Sequence, residues 1–261
     1  MTTPEPGALT TDHRGLVIPA RFCGPDESGN GGWVCGSLAG DLLRHIDPRA
    51  AVTVTLRVPP PLDRPLRLVA RDDGVVGVDL VDDRQGGSGE SRAAGEPVRV
   101  ASAVVADPLP EAEGLPRVTP DEAAAVRDGF PGLTQHPYAR CYACGTQRSP
   151  GDGLRLTPAP VPGGDPWWAS AWTPTEVSEP IVWAALDCPT GWAAGAGARY
   201  LLLGRMTARV RELPPVGARC VLLARRTGGQ GRKAYAESFL TLDGRVLAQA
   251  TTVWIETGPP A

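Results

Sequence analysis

The sequence predicts an α+β protein assembled from two similar halves. One observation is order: a helical segment followed by a run of β-type segments occurs after Asn30 and again after Ser178. A second is correspondence. "VTVTLRVPPPLDRPLRL" in the first half matches "MTARVRELPPVGARCVL" in the second in strand length, double proline and following strand. This internal repeat is too long for a solenoid period. A third is size: 261 residues suit two domains of about 100–150 residues each. The halves are therefore read as residues 1–118 and 119–261.

The elements follow in order. The first 15 residues are polar and read as a loose tail, and "LVIPA" from Leu16 is a candidate strand. A helix is expected over residues 31–44. Next come "AVTVTLRV", "LRLVA", "GVVGVDLVDD" and "EPVRVASAVVAD", alternating or β-branched and separated by turn residues, hence strands. "RQGGSGESRAAGE" reads as a flexible hairpin tip. "TPDEAAAVRDGF" has Thr119 as N-cap and Pro120 at the first helical position, which predicts a short linker helix. "GLRLTPAPV" and "WWASAWTP" read as strands, and a second long helix is expected over residues 180–196. Four strands close the chain, with Asp243-Gly244 as the tip of the last hairpin.

Composition narrows the function. Hydrophobic residues make up 42%, enough for a core, and the 32 Gly and 28 Pro interrupt apolar segments as turns. The net charge of −3 offers no basic footprint for nucleic acid. No apolar run approaches a membrane span. No secretory leader is evident, and six scattered cysteines suit a reduced cytoplasm. The Ala-, Arg-, Val- and Gly-rich composition with a single lysine suggests a GC-rich, bacterial source. A Walker loop and a dinucleotide glycine fingerprint are both absent.

A long helix inside an antiparallel meander resembles the hotdog fold. Two copies in one chain resemble a double hotdog, with two long central helices each wrapped by an antiparallel sheet. The second half resembles the acyl thioesterase superfamily of that fold through "CYACGTQRSPGDGLRL", "VWAALDCPTGWA" and "GRKAYAESFLTLDGRVLAQATTVWI". In the first half, "GPDESGNGGWVCGSLA" resembles the His-Gly-Gly…Asp helix of acyl-CoA thioesterases, with Asn30 in place of His. The resemblance implies hydrolysis of an acyl thioester on coenzyme A or an acyl carrier protein. No cofactor is implied beyond the CoA of the substrate. A homodimer of double-hotdog chains is a further expectation.

The resemblance also implies a division of labour. Family chemistry needs amides at one helix start, to hold a developing oxyanion, and a carboxylate on the facing helix. Gly31 and Gly32 match the amide donors, but the aligned acid position in that helix is Ala39. Asp187 matches the acid in the second helix, whose start is Glu179-Pro180, and proline has no N–H to donate. One composite site is expected per chain, with Asn30, Gly31 and Gly32 on one side and Asp187 on the other.

Each candidate has a plainer reading beside it. Gly32, Gly36 and Gly40 recur every fourth residue, which also fits a helix packed tightly on a sheet. Asp187 could be a buried structural acceptor. Thr190, one turn on, could orient a water or bond back to its own helix. Asp41 is expected to face solvent or pair with Arg44. Trp33, Trp183 and Trp192 are core fillers by default and acyl-tunnel walls otherwise. Arg232 and Lys233 are solvated surface by default and contacts for CoA phosphates otherwise. Cys188 reads as a buried thiol. Cys141-x-x-Cys144 lacks a second pair, with His136 the one nearby addition, so no metal is expected. A hotdog hydratase would need an Asp–His pair at a spacing this sequence lacks. Acyl-thioester binding without turnover is the stronger rival.

Overall fold

The computed structural model describes residues 15–83 and 97–258. The tail and the hairpin tip at residues 84–96 fall outside the described residues, the tail except for Gly15. Eleven strands form one sheet: β1 (Gly15–Val17), β2 (Val52–Leu56), β3 (Pro65–Ala70), β4 (Gly77–Asp82), β5 (Val98–Val105), β6 (Ala159–Pro160), β7 (Trp167–Trp172), β8 (Tyr200–Val210), β9 (Cys220–Gln230), β10 (Lys233–Leu242) and β11 (Arg245–Thr257). Their spatial order is β1-β3-β4-β5-β2-β8-β11-β10-β9-β7-β6.

That order is palindromic with respect to the repeat. β2 and β8, the strands of the two matching segments, lie side by side at the centre, antiparallel, with Val54 opposite Met206. Outward from them run β5, β4 and β3 on one side and β11, β10 and β9 on the other. Thr53 and Thr207 share a hydroxyl hydrogen bond of 2.7 Å across the central seam. A cross-strand Thr pair of this kind adds to what the ladder already provides.

Two long helices, α1 (Gly31–Leu43) and α3 (Glu179–Ala193), pack on the sheet and on each other. α1 lies over β2, β4 and β5, and α3 over β8 to β11. Their apolar faces meet alternate strand residues: Cys220 and Leu222 of β9 belong to the core shared with the helices. The intervening Val221 and Leu223 join Trp167, Phe239 and Ala123 in a second cluster on the opposite face. Ala123 comes from the linker helix α2 (Pro120–Ala125), which Thr119 caps as expected, here in a reciprocal capping box with Glu122. No helix among the described residues is long and apolar enough to cross a membrane.

Two expectations need correction. "GLRLTPAPV" forms only the two-residue β6, because its backbone bonds elsewhere: Leu154 N–H donates to Tyr142 O and Leu156 N–H to Ala143 O, both at 2.9 Å. Between them Arg155 turns into the left-handed region at φ 51°, which breaks strand geometry. The segment is thus clamped to the cysteine turn. Asp41 does not face solvent: it is 8% exposed and pairs with Arg44, the other half of the expectation.

Candidate active site

The glycine row of α1 packs against α3, not against the sheet. A Cβ on Gly32 would stand 2.4 Å from the Asp187 Cβ and 2.7 Å from the Trp183 carbonyl. One on Gly36 would stand 2.6 Å from the Pro180 Cα. These contacts run in opposite directions along the two helices, so the start of α1 meets the middle of α3. Only hydrogen at positions 32 and 36 lets the two backbones approach so closely.

That approach puts an orphan amide beside the acid. The first N–H groups of a helix have no partner within it. Asn30 caps α1 by accepting the Trp33 N–H on its side-chain oxygen at 2.9 Å. The next amide, Gly32 N–H, donates to Asp187 Oδ2 at 2.9 Å. Asn30 turns its Nδ2 to the same oxygen at 3.3 Å, a contact an aspartate cap could not make. Asp187 Oδ1 has no hydrogen-bond partner, although the residue is 2% exposed. Burial pushes the carboxyl up to about 7, against the opposing pull of the Gly32 amide and Asn30. A carboxyl so placed can accept and return a proton near neutrality.

Asp187 lines a cavity of about 250 Å³ together with Asn30 and Gly31. Leu201, Leu203 and Trp254 give it apolar walls. The Gly31 N–H, at the first position of α1, has no acceptor among the described residues. It is therefore the amide left over once Asp187 has taken Gly32.

The other predicted residues divide. Trp192 lines the cavity, whereas Trp33 and Trp183 do not. Trp33 stacks on Phe22 at 4.3 Å, and Trp183 is fully buried with its indole N–H on Glu179 Oε1 at 3.0 Å. The Thr190 hydroxyl donates to the Asp187 carbonyl at 2.6 Å and accepts the Trp254 indole N–H at 2.9 Å. Its proton is therefore committed to the backbone. Pro189, inside α3, lacks the N–H that would reach the Ala185 carbonyl four residues back. Ser238 Oγ serves the Leu186 carbonyl in the same way, at 2.7 Å. Arg232 and Lys233 sit at the exposed turn between β9 and β10 and are not part of the cavity wall.

The cavity also has residues the sequence did not assign to it. Cys141, Cys144 and Cys188 lie on its wall, and so do His136 and Tyr138. The Asn30 Nδ2 reaches Cys141 Sγ at 3.7 Å as well as Asp187. Both His136 ring nitrogens are engaged, Nε2 with the Cys144 carbonyl and Nδ1 with the Tyr138 N–H, each at 3.1 Å. The signal in the sequence was the Cys-x-x-Cys-Gly turn. Nothing in it indicated that Cys188 would complete a cluster.

No family model matches the chain, and no curated protein does. Solved structures do. An acyl-CoA thioesterase II, TesB2, from Mycobacterium marinum aligns with a TM-score of 0.53 and 12% identity, over 90% of this chain and 91% of that one. A tesB protein of Mycobacterium avium subs paratuberculosis gives 0.55 and 9%, over 88% of each. The dehydratase domain of a mycocerosic acid synthase-like polyketide synthase gives 0.53 and 15%, over 99% and 98%. With the antiparallel sheet and its helices, these likenesses show the hotdog fold. At such identities they show the fold alone.

Proposed function

We propose that this chain hydrolyses an acyl thioester, carried on coenzyme A or on a carrier protein, at one site per chain. Its two halves, residues 1–118 and 119–261, act as fused hotdog units that each lend one helix. The observation that carries this reading is the Asp187 carboxylate. One of its oxygens is held by the Gly32 amide and the other, Oδ1, is unpartnered beside an apolar cavity.

The chemistry follows from that asymmetry. The thioester carbonyl oxygen accepts the Gly31 N–H, where the α1 dipole favours the charge that develops as the carbonyl is attacked. Asp187 Oδ1 takes a proton from an incoming water, whose oxygen bonds to the carbonyl carbon. The C–S bond then breaks, the thiolate takes the proton back from Asp187, and the products are a carboxylic acid and a thiol. Gly32 and Asn30 keep Oδ2 fixed throughout, so Oδ1 stays aimed.

A second reading, binding without turnover, is favoured by one observation: Gly32 is spent on Asp187, leaving a single amide for the oxyanion. Dehydration draws on the polyketide synthase likeness, but His136, the histidine on the cavity wall, has both ring nitrogens occupied. The test is a panel of acyl-CoA thioesters with thiol release followed for the parent and for Asp187→Asn. We expect turnover by the parent and a loss of about 10²-fold or more in the variant, with an unchanged circular dichroism spectrum. Parent-level turnover in a folded Asp187→Asn protein rejects the assignment. Saturable binding by the parent without thiol release selects the second reading.

A further inference from the structure

Cys141 and Cys144 come from a turn in the second half, and Cys188 from the middle of α3, yet their three sulfurs lie within 4.8 Å of one another. All three residues are buried, and Cys141 Sγ is 3.6 Å from Cys188 Sγ. A tetrahedral ion holding sulfur at about 2.3 Å sets its ligands roughly 3.8 Å apart. The cluster is thus already close to the spacing a single ion imposes.

The surroundings of the sulfurs point the same way. Cys141 Sγ receives the Asn30 side-chain amide at 3.7 Å. Cys144 Sγ receives the Trp192 indole N–H at 3.4 Å. A neutral thiol is a weak acceptor, so an N–H donor aimed at each of these two sulfurs suits thiolate. The turn is built for this: Gly145 N–H closes it on the Cys141 carbonyl at 2.8 Å, and a Cβ on Gly145 would meet that oxygen at 2.4 Å. Buried thiolate needs a compensating positive charge. Among the described residues no cationic side chain bonds any of the three sulfurs. The half-buried Arg148 is turned to Cys23 instead, at 3.1 Å. His136 cannot supply the charge either, because its Nδ1 accepts the Tyr138 N–H and so carries no proton.

We propose that Cys141, Cys144 and Cys188 bind one thiophilic divalent cation of the zinc class, with its fourth position toward the cavity. Soft thiolate ligands select such an ion over magnesium or calcium. Three protein ligands with one open position is also the form that metal sites take where a substrate or water approaches. Asn30 and Trp192 orient the ligands from outside, as N–H donors to sulfur. The ion would tie the cysteine turn to α3 one residue from Asp187. The proposal stands on the thiol cluster and does not depend on thioester hydrolysis.

The test uses the full chain, reduced, stripped with a chelator and titrated with cobalt(II) alone. One equivalent should bind, with a thiolate-to-cobalt charge-transfer band in the ultraviolet and the visible bands of a tetrahedral site. Zinc should displace it. Cys141→Ser, Cys144→Ser and Cys188→Ser should each weaken binding by more than the roughly 10–100-fold that an outer partner is worth, and Trp192→Phe by about that range. Cys220→Ser, in β9 and outside the cluster, serves as the control and should bind like the parent. Where a serine variant does not fold, the metal content and cobalt spectrum of the parent still decide. Absence of the charge-transfer band, binding indifferent to all three substitutions, or a Cys141–Cys188 disulfide in protein isolated without oxygen would each overturn the proposal.

Discussion

The two ends of the α1–α3 pair share a backbone plan and differ in equipment. At one end the start of α1 faces Asp187: the cap is polar, the Gly32 amide holds the carboxylate, the Gly31 amide is left over, and an apolar cavity adjoins them. At the other end the start of α3 faces Gly40. Ser178 makes no side-chain cap there, Pro180 has no amide, and Glu179 is occupied with the Trp183 indole. Burial raises the Glu179 carboxyl too, so burial alone does not distinguish the ends. The difference is what meets the carboxylate. Asp187 meets backbone amides and keeps one oxygen unpartnered, while Glu179 meets an indole in the packed core. On the proposed reading, one end of the α1–α3 pair serves hydrolysis and the other serves packing.

The sharpest way to break the comparison is to add a methyl group at each end. Gly32→Ala drives a Cβ into the Asp187 Cβ and the Trp183 carbonyl. It should cost about 1–3 kcal/mol or more, as overpacking does, and abolish turnover by moving Asp187. Gly40→Ala meets only the Glu179 side chain at 3.7 Å, an ordinary contact. Alanine is the better helix former by about 0.8–1.0 kcal/mol, so this variant should equal or exceed the parent in stability. Denaturant unfolding of both proteins checks the pair. Equal stability for the two variants would show that the close helix contact does not set the site.

A smaller effect is expected from the cap. Asn30→Ala should lose about 1 kcal/mol of stability with the Trp33 hydrogen bond. Asn30→Asp keeps an acceptor for that N–H but has no donor for Asp187. It should therefore separate the roles, recovering stability in urea denaturation while kcat stays depressed. Recovery of both by aspartate would mean that Asn30 serves only as a cap.

The smallest effect belongs to the packing end. Glu179→Gln retains an acceptor for the Trp183 indole and removes the charge. Turnover of any thioester that the parent hydrolyses should stay at the parent level. A loss comparable to that of Asp187→Asn would move the site, or a second one, to this end.

Much of this was legible in the chain because it is decided locally. Alternating or β-branched runs mark β2 to β5, Thr119 before Pro120 announces a helix start, and Asn30-Gly31-Gly32 opens the first long helix. The missing proline N–H at position 180 and the absent acid at Ala39 follow from residue identity alone. They are enough to make the two helices unequal. Legibility failed where a segment's hydrogen bonds go far along the chain. "GLRL" alternates like a strand, but its amides bond to Tyr142 and Ala143 in the cysteine turn.

The sequence by itself determined the element order and which helix carries which chemical groups, since each depends on residues close together in the chain. Only the tertiary structure decided that the glycine row faces a helix and not the sheet, that Gly32 is spent on Asp187, and that Thr190 serves the backbone. It alone brought Cys188 to Cys141 and Cys144. The physical reason is common to all of these. Glycine contacts, orphan amides and thiols state what they lack or can offer, but their partners are chosen by the packing of α1 on α3, and that packing is settled by the core as a whole.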